Sequence, residues 1–185
     1  NPSGNVFTVL KDLDFSTDGA YPYGSLLESG GKFYGMTTSG GNYNTGVLFE
    51  FDPVGNVYTV LKHLEYTNDG GYPYGSLLES GGKFYGMTSS GGSNSRGTLF
   101  EFDPVSNGFT VLKHLDFSTD GAYPYGSLLE SGGKLYGLTN NGGYNFSGTL
   151  FEFDLGSNTY TVLKHLDYTN DGGYPYGSLL ESGGK

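Results

Sequence analysis

Four segments of this chain place oxygen-bearing side chains on alternate residues ahead of a glycine: Asp14-x-Ser16-x-Asp18-Gly19, Glu65-x-Thr67-x-Asp69-Gly70, Asp116-x-Ser118-x-Asp120-Gly121 and Asp167-x-Thr169-x-Asp171-Gly172. Alternating carboxylate and hydroxyl oxygens followed by Gly have the pattern of the first half of a calcium loop. The bidentate Glu that closes an EF-hand is absent, and each segment runs into Tyr-Pro-Tyr instead of a helix. The competing expectation is a turn in which Asp accepts backbone hydrogen bonds and Gly takes positive φ. The tyrosines form a second candidate. Tyr21 and Tyr23, Tyr72 and Tyr74, Tyr123 and Tyr125, and Tyr174 and Tyr176 each bracket a proline beside acidic and amide side chains. Tyrosine faces near fixed acceptors suit a glycan, because sugar C–H patches stack on rings while hydroxyls need partners. Identical weak sites of this kind act by multivalency. The alternative is that these rings pack between adjacent sheets and fix the loop.

Catalysis has little support. His63, His114 and His165 occupy one equivalent position near the end of a strand, and Asp12 replaces them in the first repeat. Equivalent positions in an array lie apart, so half-exposed strand residues are expected rather than a metal cluster or general base. Glu28, Glu50, Glu79 and Glu101 recur identically and read as structural or solvated positions. Nucleophile-elbow, Cys/His, phosphate-loop and zinc-type patterns do not occur, and no enzymatic activity is expected.

The elements that must position these residues are set by a repeat. YPYGSLLESGGK begins at Tyr21, Tyr72, Tyr123 and Tyr174, and TVLK at Thr8, Thr59, Thr110 and Thr161, a period of 51 without insertion or deletion. Such a period signals a solenoid, a propeller or an array. The repeat units run over about 1–51, 52–102, 103–153 and, in part, 154–185 of a single repeat domain, 1–185. Alternate repeats match best: 7–34 and 109–136 differ only at Asp12/His114 and Phe33/Leu135.

Each repeat reads as four strands: Gly24 to Ser29, Lys32 to Thr38, Gly46 to Asp52 and Val57 to Leu64, joined by short Gly- and Asn-rich turns that favour antiparallel hairpins. Val47, Phe49 and Phe51 point one way and Leu48 the other, so the sheet is apolar on both sides and must be covered on both. Four-stranded sheets stacked around an axis, as in a β-propeller, satisfy that requirement. Gly in the second strand would let sheets crowd near the axis. The expected fold is all-β and propeller-type, with four-stranded antiparallel blades at about 20–64, 71–115 and 122–166 and an incomplete fourth. A β-solenoid is the rival.

The composition agrees, with 34 Gly, 17 Tyr, 13 Phe, no Cys and no Trp. A net charge of −10, with Arg96 the only arginine, opposes nucleic-acid binding. It suits an extracellular protein or a cation binder. A run of 18 apolar residues that could span a membrane does not occur. The sequence opens at Asn1 rather than Met, compatible with a processed chain or an excerpt.

KFYGMTTSGG, GVLFEFDP and DGAYPYGSL resemble the GloVer tandem repeat of secreted, surface-anchored bacterial proteins and, more distantly, kelch repeats with their double glycine and YDP-type third strand. The likeness covers essentially the whole chain, and the combination of YGMT, GG, G-x-LFEFD and DG-x-x-P is specific. It implies a propeller-like fold and a secreted, extracellular or cell-surface setting, and it transfers no catalytic residue. In kelch-like register the chain opens on a fourth strand, Val6 to Leu13, and closes on a first strand, Gly177 to Ser182, so completing a fourth unit takes 19 more residues. Exposed strand edges recruit other strands, and a head-to-tail contact that does not close makes a filament. The expected partners are further copies of the chain, or the continuation of the same tandem array. The expected role is a structural one in a surface fibre or adhesive array. A multivalent glycan-binding propeller is the alternative.

The loops between second and third strands vary most, at Asn42 to Thr45, Ser93 to Arg96 and Tyr144 to Ser147, and are expected to face outward. Asn145-Phe146-Ser147 is an N-glycosylation sequon.

Overall fold

Paired glycines set the first hairpin in each of three successive repeats. Gly30 and Gly31 take φ of 59° and 80°, the left-handed values of a two-residue type I′ turn, and they bring Ser29 opposite Lys32. In the computed structural model, which describes residues 7–182, this hairpin joins β1 (Leu27–Ser29) to β2 (Lys32–Thr37), followed by β3 (Val47–Asp52) and β4 (Val57–His63). The second repeat gives β5 (Leu78–Ser80), β6 (Lys83–Thr88), β7 (Thr98–Asp103) and β8 (Gly108–His114). The third gives β9 (Leu129–Ser131), β10 (Lys134–Thr139), β11 (Thr149–Asp154) and β12 (Thr159–His165). Each set forms one four-stranded antiparallel sheet in sequence order. The described residues are all-β, and no helix among them is long and apolar enough to cross a membrane.

The outer hairpin is held by a side chain. Asp52 Oδ1 accepts from the amides of Val54 and Gly55 at 2.8 and 3.0 Å, and Asn56 takes the left-handed φ of 53° that closes the turn. Between β3 and β4 the register jumps from Leu48↔Lys62 to Phe49↔Val60, which leaves Leu61 as the extra residue of a β-bulge. Equivalent jumps occur at Leu112 and Leu163.

The sheets stack through two unlike faces. Tyr34, Met36 and Leu48 of the first sheet, with Leu27 and Leu61 at their edge, pack on Leu77, Phe84, Phe100, Phe102 and Phe109 of the second. Tyr85, Met87, Leu99, Leu78 and Leu112 of the second sheet pack in the same way on Leu128, Leu135, Phe151, Phe153 and Tyr160 of the third. One face is therefore Tyr/Met/Leu and the other Leu/Phe, and each contact joins unlike faces.

Three expectations are corrected. First, β1 holds only Leu27–Ser29, because the residues before it turn to the next repeat: the Ser25 amide donates to Ser76 Oγ, 51 residues on, at 2.8 Å. Second, the close approach between repeats lies there rather than in the second strand. A Cβ on Gly24 would lie 2.5 Å from the Gly75 carbonyl oxygen, whereas Gly35 makes room for the ring of its cross-strand partner Phe49. Third, Val6 lies outside the described residues, and 7–13 and 177–182 form no strands, since no ladder partner for either lies among the described residues. Residues 7–13 nonetheless stay at the station of a fourth strand. Lys11 lies 5.4 Å over the Tyr58 ring, as Lys62 lies 5.3 Å over Phe109.

Candidate functional site

The two tyrosines of each Tyr-Pro-Tyr do not form one site. The first is held in the left-handed region, with φ of 58°, 57°, 57° and 56° at Tyr21, Tyr72, Tyr123 and Tyr174. That conformation is unusual for a bulky residue and persists only where the surroundings dictate it. Here it is dictated from both sides: the Tyr72 amide donates to the Thr45 carbonyl of the preceding repeat at 2.8 Å, and its carbonyl accepts from Ser89 of its own. The ring of Tyr72 meets Tyr66, and that of Tyr123 receives the Arg96 guanidinium, which also donates to its hydroxyl.

The second tyrosines converge instead. Tyr23–Tyr74, Tyr74–Tyr125 and Tyr125–Tyr176 have ring centroids 5.3, 5.1 and 5.0 Å apart, a ladder with one rung per repeat. Beside it runs a row of backbone contacts from Gly24 to Gly75, Gly126 and Gly177, and a row of hydrogen bonds from each Ser amide to the next Ser hydroxyl. The identical spacing of Tyr23, Tyr74, Tyr125 and Tyr176 was the signal available in the sequence. The left-handed turn before them is what aims them at one another.

The acidic segments are turns whose acceptors face inward. Asp14 Oδ1 accepts from the amides of Ser16 and Thr17, and Asp18 Oδ2 accepts from the amide of Asp14 at 3.0 Å and from Lys11 Nζ at 2.6 Å. Asp116 and Asp120 repeat this with Ser118, Thr119 and Lys113, and Asp167 and Asp171 with Thr169, Asn170 and Lys164. In the second repeat Asp69 takes the Glu65 amide and Lys62, while Glu65 accepts from the Asn68 side chain rather than from the region of Thr67. The cation that reaches each turn is thus a lysine ammonium, and among the described residues no three His, Cys, Asp or Glu side chains converge as a metal site. The Lys–Asp pair is the contact that the alternating oxygens obscured, although Lys precedes Asp by the same interval in every repeat.

The histidines cap loops. Nδ1 of His63, His114 and His165 accepts at 3.2 Å from the amides of Asn42, Ser93 and Tyr144. Glu50, Glu101 and Glu152 take Lys32, Lys83 and Lys134 across the second hairpin, and Glu28 accepts from the Gly31 amide. Glu79 lies exposed on the short strand β5. Asn145 is exposed, whereas Ser147 of the same sequon is buried and donates to the Asn145 carbonyl.

The turn hydrogen bonds predict acid instability. The amides of Gly55 and Val54 hold Asp52 below its ordinary value of 3.8; the Ser106 hydroxyl does so for Asp103, and the Ser118 and Thr119 amides for Asp116. At Asp18 burial acts upward, but the Lys11 hydrogen bond and the Asp14 amide outweigh it. A carboxyl that is more acidic folded than unfolded adds stability above the unfolded value and loses it as pH falls through the folded value. Denaturant midpoints are therefore expected to stay level down to about pH 5 and to fall steadily below about pH 4. A midpoint that stays level to pH 2 would contradict this assignment.

The sequence profile of the Gloeobacter/Verrucomicrobia repeat matches residues 1–185. The chain belongs to that repeat family. No curated protein matches it. Among solved structures, this Gloeobacter/Verrucomicrobia repeat chain is similar to the extracellular domain of a one-component system from B. thetaiotaomicron (TM-score 0.57, 11% identity, 83% of this chain and 18% of that one). It is also similar to a europium-containing methanol dehydrogenase (0.55, 16%, 82% and 26%) and to a chain of a nidogen/laminin complex (0.53, 16%, 80% and 47%). At these identities the likeness is one of fold alone, and the chain spans less than half the length of each.

Proposed function

We propose that this Gloeobacter/Verrucomicrobia repeat chain is a non-catalytic structural protein of the extracellular surface, a building block of a fibre or adhesive array whose sheets are blades of a propeller-type assembly. Its partner is a further copy of the same repeat. The observation that carries the reading is the pairing of unlike faces. Two of the three Tyr/Met/Leu faces are covered by a Leu/Phe face, and the third, on the last sheet, leaves Tyr136, Leu138 and Leu150 half-buried and Leu163 exposed. At the other end Phe49, Phe51 and Tyr58 line an apolar groove of about 480 Å3 with residues of 7–13. The face of the last sheet is only partly covered, by Leu179 and Leu180, and in the groove at the other end Phe49 and Phe51 are already buried beside residues of 7–13. These are the two halves of the contact made twice within the chain, so the surface that completes each is another repeat, and joining them is head-to-tail.

The ladder favours this reading over glycan binding at its two inner rungs, where the neighbours of Tyr74 and Tyr125 take up ring surface that a sugar would need. Electron microscopy of the purified protein, with mass determination on the same sample, tests it. Filaments of regular axial repeat are expected, and Leu163→Asp is expected to shorten them while leaving the fold intact. Discrete closed rings without filaments would overturn the fibre and bring glycan binding forward, and monomers at every concentration would overturn assembly itself.

A further inference from the structure

The chain holds no Cys and no Trp, and both Met, Met36 and Met87, are buried in the inter-sheet cores. Tyrosine is therefore the side chain on which a one-electron oxidant acts. Along the ladder the rings are near neighbours in space and 51 residues apart in sequence. The outermost rungs are open to solvent, with Tyr23 66% and Tyr176 69% exposed, and the inner two, Tyr74 and Tyr125, are half-buried between them. Burial and the neighbouring phenols of Tyr176, Tyr74 and Tyr123 push Tyr125 up.

We propose that the tyrosine ladder is an oxidative modification site at which dityrosine bonds join successive repeats. The co-reactant is a peroxide acting through a peroxidase-class one-electron oxidant. Each of two adjacent phenols gives up one electron and its hydroxyl proton. The two radicals couple through ring carbons ortho to the oxygens. Each coupled carbon then loses its hydrogen as a proton, and each oxygen regains one. The net loss is two electrons and two protons, which convert one hydrogen peroxide into two waters. The new carbon–carbon bond staples one repeat to the next in a chain that has no cysteine with which to do so.

Two features make the ladder the favoured place. Its centroid separations of 5.0 to 5.3 Å are shorter than those of Tyr66–Tyr72 and Tyr168–Tyr174, at 6.2 and 5.9 Å. Those two competing pairs also lie within single repeats, so a link there joins nothing across the stack. They serve as internal controls. The inference stands on the ladder alone and does not depend on the fibre.

The test uses the whole chain in dilute solution, illuminated with ruthenium tris-bipyridine and persulfate, then digested and sequenced by mass spectrometry. The expected product joins the peptide carrying Tyr74 to the peptide carrying Tyr125, two hydrogens lighter than their sum, and shows dityrosine fluorescence. Tyr74→Phe with Tyr125→Phe breaks every ladder pair while keeping the rings, and is expected to abolish most of the fluorescence without changing the unfolding midpoint. Tyr66→Phe with Tyr72→Phe is expected to leave it. Cross-links confined to the two control pairs or to bonds between molecules, or fluorescence undiminished in the ladder variant, would overturn the proposal.

Discussion

Replacing Gly75 by Ala is expected to destabilise the protein by about 2 to 4 kcal/mol, the sum of an overpacked contact and a weakened hydrogen bond. A Cβ at this position would lie 2.3 Å from the Gly126 carbonyl oxygen and 2.8 Å from its carbon. Backbone cannot swing aside as a side-chain tip can. Relief requires the second and third repeats to move apart where the Ser76 amide donates to Ser127 Oγ at 2.8 Å and where Tyr74 meets Tyr125. The matched control is Gly108→Ala. Gly108 is exposed, a Cβ there would meet only Ser106 Oγ at 3.1 Å, and the other repeats carry Val57 and Thr159 at the same place. That change is expected to stay within about 0.5 kcal/mol. Equal denaturant midpoints for the two variants would mean that the glycine row does not set the spacing of the sheets.

The contrast between those two glycines marks what could be read from the sequence. The strands β2 and β3 end within a residue of the alternation and turn signals, because paired glycines and Asx turns are local devices that need no tertiary context. The division of Val47, Phe49 and Phe51 from Leu48 was legible for the same reason. The first strand was overread because Gly24 and Ser25 are committed to a contact 51 residues away, which no local pattern reports. The lysines were missed because of the bulge. Simple alternation places Lys62 on the side of Val60, but the extra residue Leu61 sets Lys62 opposite Leu48, from which it reaches both Asp69 and the Phe109 ring of the next sheet. In the acidic segments the sequence offered two expectations, a calcium-type loop and a self-capped turn, and the carboxylates are seen accepting from the amides of their own turns. A carboxylate at the start of a tight turn serves its own amides first, so the calcium-like spacing of Asp14, Ser16 and Asp18 is also the spacing of a self-capped turn.

Truncating equivalent leucines is expected to give unequal costs, and the inequality reads out the stacking. Leu48, Leu99 and Leu150 hold the same place on three sheets. Leu48 and Leu99 are 0% and 1% exposed beneath the next sheet, while Leu150 is only half-buried. Removing Leu99 to Ala empties a site against Phe151 and Phe153 in the second core, for a cost of about 2 to 5 kcal/mol. Leu150→Ala removes the same atoms from a face that the isolated chain covers only in part, with Leu179 and Leu180, and a cost of about 1 kcal/mol is expected, in line with its partial burial. If a further repeat covers that face in the assembled protein, the two positions become alike. The cost of Leu150→Ala then rises with protein concentration, whereas that of Leu99→Ala does not. Urea midpoints measured for both variants at dilute and high concentration decide it. Equal losses at low concentration would mean that the last sheet is already covered in the single chain, and a concentration-independent difference would mean that the open face recruits nothing.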